Sequence, residues 1–448
     1  MAGLEAPIDR KKTLRVAVLV VVLVGAGIAA LWERDPLEAR LLLKSNASPP
    51  APTHVLVVLD TVRSDTTSAC GFEHPTTPTL DALAARPDAQ LVCGAVTPGD
   101  WTLPSHASFF TGVDPLEHGA HGVEGSFQQD IALFARPLDE RFETMAERFA
   151  ERGYQTLSVS ANPVLCDSMG MTRGFDFALW LAFPQAKGAG LTDLLKQGLL
   201  ELDPERPLFL FLNISDAHLP WLSIPDGHPW LPAQPGFSET DKNQWRATHD
   251  PLVAERVPAL YSGAVGRADE TLAASLALLE REGWSDAETR MVITSDHGEV
   301  LGEHGIIGHG GQLYEPNNRV VFLAVGPDMP ALPDELNAME AHPVLLHGTL
   351  GGFPTHSSAF PMRYLDEQPQ DDVALGQWQG SQKWVWQAGE VVRYDLDADP
   401  GELAPIPDPD VARFGEGPAR ALGSFVDTDL DLDPATLEML QAAGYLDP

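Results

Sequence analysis

Residues 101–112 read WTLPSHASFFTG, which places three hydroxyls, Thr102, Ser105 and Ser108, around one imidazole, His106. Pro104 suits the first turn of a helix, so a short apolar helix over 103–110 is expected, with Thr102 at or just before its N-cap. There the Thr102 hydroxyl meets the positive end of the helix dipole, where an anion is welcome. Ser105 and Ser108 fall one and two turns further in, where serine usually bonds a backbone carbonyl or packs. A threonine hydroxyl is a poor nucleophile until something lowers its pKa. A divalent metal can do so: zinc takes bound water from about 15.7 to about 7.

The rest of the chain supplies ligands for such a metal. HVLVVLD (54–60) is a continuous apolar run closed by Asp60, and RMVITSD (290–296) runs into Asp296 and His297. Both read as buried parallel strands. Ligands of open α/β sheets bind beyond the carboxyl ends of the strands, so these three side chains can converge although far apart in sequence. Two carboxylates and an imidazole suit a divalent cation. Taken singly, a strand-end Asp more often caps the next turn. SDAHLPW (215–221) adds Asp216 and His218 after another apolar run, PLFLFLNIS, and EHGIIGHGG (303–311) adds His304 and His309. Arg63 follows Asp60 closely, as an anion contact or as an ion-pair partner of neighbouring acids.

These residues need a frame. Further strands are expected at 154–161 and 319–327, and helices at 79–87, 137–153 and 252–283. Alternation of this kind predicts an α/β fold with a large, mostly parallel sheet covered by helices on both faces. Segments 160–206 and 217–250 look irregular and suit loops over a site. From about residue 375 the pattern changes to two short strands around a turn (382–396) and a closing helix (434–445), a small C-terminal α+β subdomain over 376–448. The main domain is expected over 54–375.

At the N-terminus, Arg10, Lys11, Lys12 and Arg15 precede an uncharged run, 16–32. This predicts a cytoplasmic tail (1–15) and a transmembrane signal anchor (16–32), with a cleaved signal peptide as the alternative. A Pro-rich linker (45–53) leads to a domain outside the cytoplasm, periplasmic or at the cell surface. The formal net charge of −35 argues against nucleic acid as a partner and means that an anionic substrate needs a local cation. Three cysteines make no disulfide framework, although a Cys70–Cys93 bridge could form outside the cytoplasm.

Taken together, VLVVLDTVRSD (55–65), TTPTLDALAAR (76–86), WTLPSHASFFTG with HG at 118–119, DAHLPW (216–221), TSDHGEVLGEHGIIGHGGQLYEP (294–316), YDLDADPGE (394–402) and LQAAGYL (440–446) resemble, in order, the motifs of the sulfatase family of the alkaline phosphatase superfamily. The resemblance implies that WTLPSHASFFTG is the nucleophile signature and that the two Asp-bearing segments bind metal. The departures are informative. Sulfatases carry Cys or Ser, matured to formylglycine, where this chain has Thr102, and Arg where it has His106. Threonine cannot become formylglycine. The family's paired aspartates are here Asp60 and Thr61, which removes a ligand suited to calcium. A lysine expected near the site is here His309. A threonine nucleophile resembles that of phosphorus-handling relatives, which favour zinc or manganese.

The expectation is therefore one divalent metal, zinc or manganese before calcium or magnesium, on Asp60, Thr102, Asp296 and His297. Thr102 attacks a phosphoester or phosphonate ester, and His218 or His309 protonates the leaving oxygen. His106, Arg63 and Asp216 are candidates for substrate contact. A second metal on Asp216, His218 and His309 stays open, and His304 reads as a loop anchor. The substrate is an anionic ester, with a lipid headgroup or envelope glycan suggested by the anchor. Two other readings compete: a sulfuric ester hydrolase working without formylglycine, and a non-catalytic sulfatase-like binding protein.

Overall fold

The structure, a computed structural model, describes residues 52–122, 135–181, 185, 187–359 and 373–424. The expected anchor over 16–32 and the closing helix over 434–445 lie outside these residues. Among the described residues no helix is long and apolar enough to cross a membrane.

Seven strands form the main sheet: β1 (His54–Leu59), β2 (Ala89–Val96), β3 (Gln155–Ser160), β4 (Phe177–Trp180), β5 (Leu208–Ile214), β6 (Arg290–Thr294) and β9 (Arg319–Val325). Their order across the sheet is β2-β9-β6-β1-β5-β3-β4. The pairs from β6 to β4 are parallel, while β9 runs antiparallel to both β6 and β2. The central strand β1 shows why its sequence is apolar throughout. Val55, Val57 and Leu59 pack with the long helix Pro251–Arg281 on one face, while Leu56 and Val58 pack with Trp101, Leu103 and Ala107 on the other. A strand covered on both faces has no polar side to display.

A second sheet is antiparallel throughout: β10 (His356–Ala359), β11 (Ala374–Gln379), β12 (Gln382–Gln387), β13 (Glu390–Asp395) and β14 (Ile406–Pro407). After β6 a two-stranded ribbon, β7 (Val300–Leu301) with β8 (Ile307–Gly308), leads the chain to His309.

Several local expectations need correction. The helix expected over 137–153 spans only Met145–Glu151, because Thr144 and Glu147 form a capping box that starts it there. The segment 160–206, expected to be irregular, holds the edge strand β4 and the helix Ala189–Glu201. The segment 217–250 holds the helix Glu239–Thr248, opened by a Ser238–Asp241 capping box. Strand β2 carries Cys93, which is bonded to Cys70 and ties the 68–70 turn to the edge of the sheet.

Candidate active site

The side chains expected to hold a metal meet where the main strands end. Asp60, Asp296 and His297 are fully buried and each offers a ligand atom within 4.8 Å of the other two. Strand register brings them there: Val58 pairs with Thr294 across β1 and β6, so Asp60 and Asp296 leave neighbouring strands at the same level.

Each group is aimed by its neighbours. Asp60 Oδ2 accepts from Asn162 Nδ2 at 2.8 Å, Ser215 Oγ at 2.9 Å and Asn213 Nδ2 at 3.3 Å. Its Oδ1 has no hydrogen-bond partner. Asp296 is arranged alike. Oδ1 accepts from the backbone N–H groups of Thr61 and His297, and Oδ2 has no hydrogen-bond partner. His297 donates from Nδ1 to the Gly298 carbonyl at 2.9 Å, so its Nε2 carries the lone pair. That lone pair lies 3.4 Å from Asp296 Oδ2 and 4.0 Å from Asp60 Oδ1. Two unpartnered buried carboxylate oxygens and an imidazole lone pair, turned toward one another, fit a divalent cation.

The charges point the same way. Burial pushes the Asp60 carboxyl up, but His218, His297 and the Asn162 hydrogen bond outweigh it and hold Asp60 at about 2. Burial, and then the charge of Asp60, push Asp296 well above the carboxylate range. A cation between them would let both ionise.

Thr102 opens the helix Thr102–Thr111, with Trp101 as its N-cap, one position away from the expected boundary. Its hydroxyl accepts from Asn162 Nδ2 at 3.1 Å and lies 3.5 Å from His297 Nε2. Asn162 thus touches both the Asp60 carboxylate and the Thr102 hydroxyl. It lies two residues beyond the end of β3, much as Asp60 lies one beyond β1. That polar residue at a strand end was the available signal, and it was missed. The other hydroxyls of the signature face elsewhere. Ser105 donates to the Gly99 carbonyl, and Ser108 bonds His118.

Thr61 occupies the left-handed region, with φ 63°. For a β-branched residue this costs on the order of 1–3 kcal/mol. The conformation aims its N–H at Asp296, and its carbonyl accepts from Tyr261.

The remaining candidates fall into two groups. His218 and His309 come together over the site, with ring centroids 5.1 Å apart and His309 4.3 Å from His297. His218 donates from Nδ1 to the Leu219 carbonyl. Lys187 holds that loop by donating to the carbonyls of His218 and Pro220. His309 Nδ1 instead bonds the carboxylate of buried Glu299 at 3.1 Å. Burial raises Glu299 to about 7. Burial, and then the charges of His297 and His218, hold His309 well below the histidine range. Glu299, two residues after His297, and Lys187 were not foreseen.

His106, Arg63 and Asp216 are each taken up by other partners, although His106 Nδ1 also lies 3.6 Å from Asp296 Oδ2. His106 is fully buried, donates to the Thr102 carbonyl at 2.8 Å, and packs edge-on against Phe211. The Arg63 guanidinium is taken up by Asp65, Glu303 and the Glu299 carbonyl. Asp216 is buried beside the Gly188 amide and the Thr271 hydroxyl. His304 stacks on Tyr314 at 3.6 Å between ring centroids.

Comparison with known proteins agrees with this architecture. Structural similarity at TM-score 0.57 links the chain to a phosphonate monoester hydrolase of Agrobacterium radiobacter, at 19% identity over 88% of this chain and 96% of that one. A putative sulfatase from Bacteroides thetaiotaomicron matches at TM-score 0.55 and 17% identity, over 86% and 96% of the two chains. A 2-O GAG sulfatase matches at TM-score 0.56 and 17% identity, with the same coverage. At these identities the likeness is one of fold. A search of curated proteins by sequence finds no match. The Sulfatase family model matches residues 52–346, the span that carries every candidate site residue, and the chain belongs to that family.

Proposed function

We propose that this protein is a metal-dependent enzyme that cleaves or transfers a phosphoester or phosphonate ester through Thr102. The observation that carries the reading is the Thr102 hydroxyl at the N-terminus of a buried helix, 3.5 Å from His297 Nε2 and beside two unpartnered carboxylate oxygens. Threonine cannot supply formylglycine, so direct attack by its hydroxyl is the chemistry available to it.

Asp60, Asp296 and His297 would hold the cation, with the Thr102 oxygen beside them. When bound, the cation lowers the pKa of that hydroxyl and draws charge from a non-bridging oxygen of the ester. Zinc or manganese suits this ligand set, because Thr61 stands where calcium-binding relatives have a second aspartate. Asn162 fixes both the Asp60 carboxylate and the Thr102 oxygen, and so sets the line of attack. Thr102 Oγ1 loses its proton to water and forms the new P–O bond while the bond to the leaving oxygen breaks in line. The leaving oxygen takes a proton from a histidine. Of the two over the site, His309 is the stronger candidate, since its Nδ1 faces a titratable side chain, Glu299, through which a proton can reach the ring, whereas His218 Nδ1 bonds a carbonyl. Water or an acceptor alcohol then cleaves the phospho-threonine and restores the hydroxyl.

A location outside the cytoplasm, with a membrane anchor over 16–32, is part of this proposal. The Cys70–Cys93 disulfide supports it, because such bonds persist in oxidising compartments. An anionic ester of a lipid headgroup or envelope glycan is the substrate class such a location suggests. Sulfate-ester hydrolysis is the alternative that family membership itself favours. The test is turnover of aryl phosphate, phosphodiester, phosphonate monoester and sulfate esters with manganese, zinc or calcium, with Thr102→Ala in parallel. Turnover of phosphorus esters, lost in the variant, is expected. Turnover of sulfate esters alone would overturn the proposal.

A further inference from the structure

The segment YDLDADPGE, which resembles a family motif, plays no part in the reaction above. Its last residue, Glu402, is only 4% exposed. Glu402 Oε1 pairs with the ammonium of Lys383 on β12, a lysine with no exposed surface, and Lys383 also donates to the Leu313 carbonyl. Glu402 Oε2 accepts from the Glu315 backbone N–H at 2.7 Å. One buried ion pair from the small sheet therefore holds two backbone groups of the segment that follows His309.

That segment leads back to the reacting groups. Asn317, two residues after Glu315, accepts from the Gly298 N–H at 2.7 Å and donates to the Asp100 carbonyl at 3.0 Å. Asp100 Oδ2 in turn accepts from the backbone N–H groups of Gly311 and Gln312. Gly298 follows His297, Asp100 lies two residues before Thr102, and Gly311 lies two after His309. The backbones are closely packed here: a Cβ on Gly298 would meet the Pro316 carbonyl oxygen at 2.0 Å.

We infer that the Lys383–Glu402 pair is a positioning element of the active site: it sets the loop that carries His309 against the Thr102 and His297 loops. This deepens the proposed function and rests on it for the role of His309. A buried ion pair is a weak stabiliser, because desolvation of both charges offsets their attraction, so its presence invites a role in specifying geometry. Replacing both partners together should leave the fold stable while removing both tethers.

The test compares the full-length wild-type protein with Lys383→Met/Glu402→Leu, and with Glu402→Gln as the milder variant. Backbone hydrogen exchange is read at Gly298, Gly311, Gln312 and Glu315, with β1 and β5 as internal references. Expected is exchange about tenfold or more faster at those amides in the double variant, a smaller change in the same direction for Glu402→Gln, and unchanged protection in β1 and β5. Where turnover of phosphorus esters is seen, kcat should fall more for esters with poor leaving groups than for aryl esters, with KM little changed, because protonation by His309 matters most there. Unchanged exchange at all four amides in both variants overturns the inference, as does an equal loss of kcat for good and poor leaving groups. Exchange needs no substrate, so it decides the inference even if the proposed activity fails.

Discussion

The two halves of the site are built in different ways. Asp60, Thr102, Asp296 and His297 sit at the ends of sheet strands or on a helix packed against them, with no exposed surface. Their directions follow from strand register, with backbone N–H groups aiming Asp296 and buried Asn and Ser side chains on neighbouring strand ends aiming Asp60 and Thr102. His218 and His309 instead come from loops, and side-chain contacts from Lys187 and Glu299 hold them in place. A metal site demands fixed ligand geometry, which a sheet provides. A leaving group varies with substrate, and loops can vary with it.

A second contrast, which cuts across the two halves, appears within one residue type. His297 and His218 each donate from Nδ1 to the carbonyl of the following residue, whereas His309 bonds a carboxylate. A backbone carbonyl fixes the neutral tautomer of the ring, whereas a titratable carboxyl can exchange a proton with it.

The comparison can be broken or sharpened by substitution. The largest effect is expected in the strand-end half. Thr102→Ala should lower kcat by roughly 10⁴-fold or more while metal content stays near that of the wild type. Asp296→Ala should lose both activity and metal, as read by elemental analysis after dialysis. Equal metal loss in the two variants would mean that Thr102 serves mainly as a ligand.

In the loop half, His309→Ala should cost roughly 10²–10⁴-fold with alkyl esters and far less with aryl esters, whose leaving oxygen needs no proton. Metal content should not change. A loss that ignores the leaving group would transfer the acid role to His218. Between the halves, Asn162→Ala should cost roughly 10–100-fold in kcat, the range for a residue that orients ligands rather than binding metal itself.

The smallest effect concerns histidines outside the site and limits any acid profile of the activity. Burial holds His118 at about 4, and burial with Arg290 holds His54 there as well. His118 accepts from the Ala120 N–H, so one ring nitrogen must stay unprotonated. The unfolded chain takes up protons on these rings below about 6.5, and the folded protein does so only near 4. Stability should therefore be full above pH 6.5 and fall as the pH drops from there toward 4, by at most a few kcal/mol per histidine. Thermal melts across this range check it. A melting temperature that stays flat to pH 4 would show that these rings protonate without cost.

Much of the site was legible because strand ends announce themselves. An apolar run that stops at Asp60 or at Asp296-His297 places those residues at one edge of the sheet, whatever the loops do. Pro104 marked the start of the Thr102 helix to within one residue. Two of the five strands of the small sheet were legible too, in QKWVWQ and EVVRYD on either side of a turn, while β10, β11 and β14 were not. Helices inside apparently irregular segments were not. Glu239–Thr248 is mostly polar and has little apolar periodicity, and only its capping box marks it. The helix expected over 137–153 failed for the opposite reason: its apolar residues kept a helical spacing through residues that the Thr144 cap leaves outside.

The sequence by itself determined the fold class, the family, the metal-type cluster and the hydroxyl beside it, since each depends on local runs and the residues that end them. Only the tertiary structure decided that Asn162 bridges Asp60 and Thr102, that Arg63 is taken up by Asp65 and Glu303, and that His309 rather than His218 bonds an acidic side chain. Those facts depend on which side chains meet across long separations in sequence. Burial and hydrogen-bond geometry fix that choice, and no local pattern encodes it.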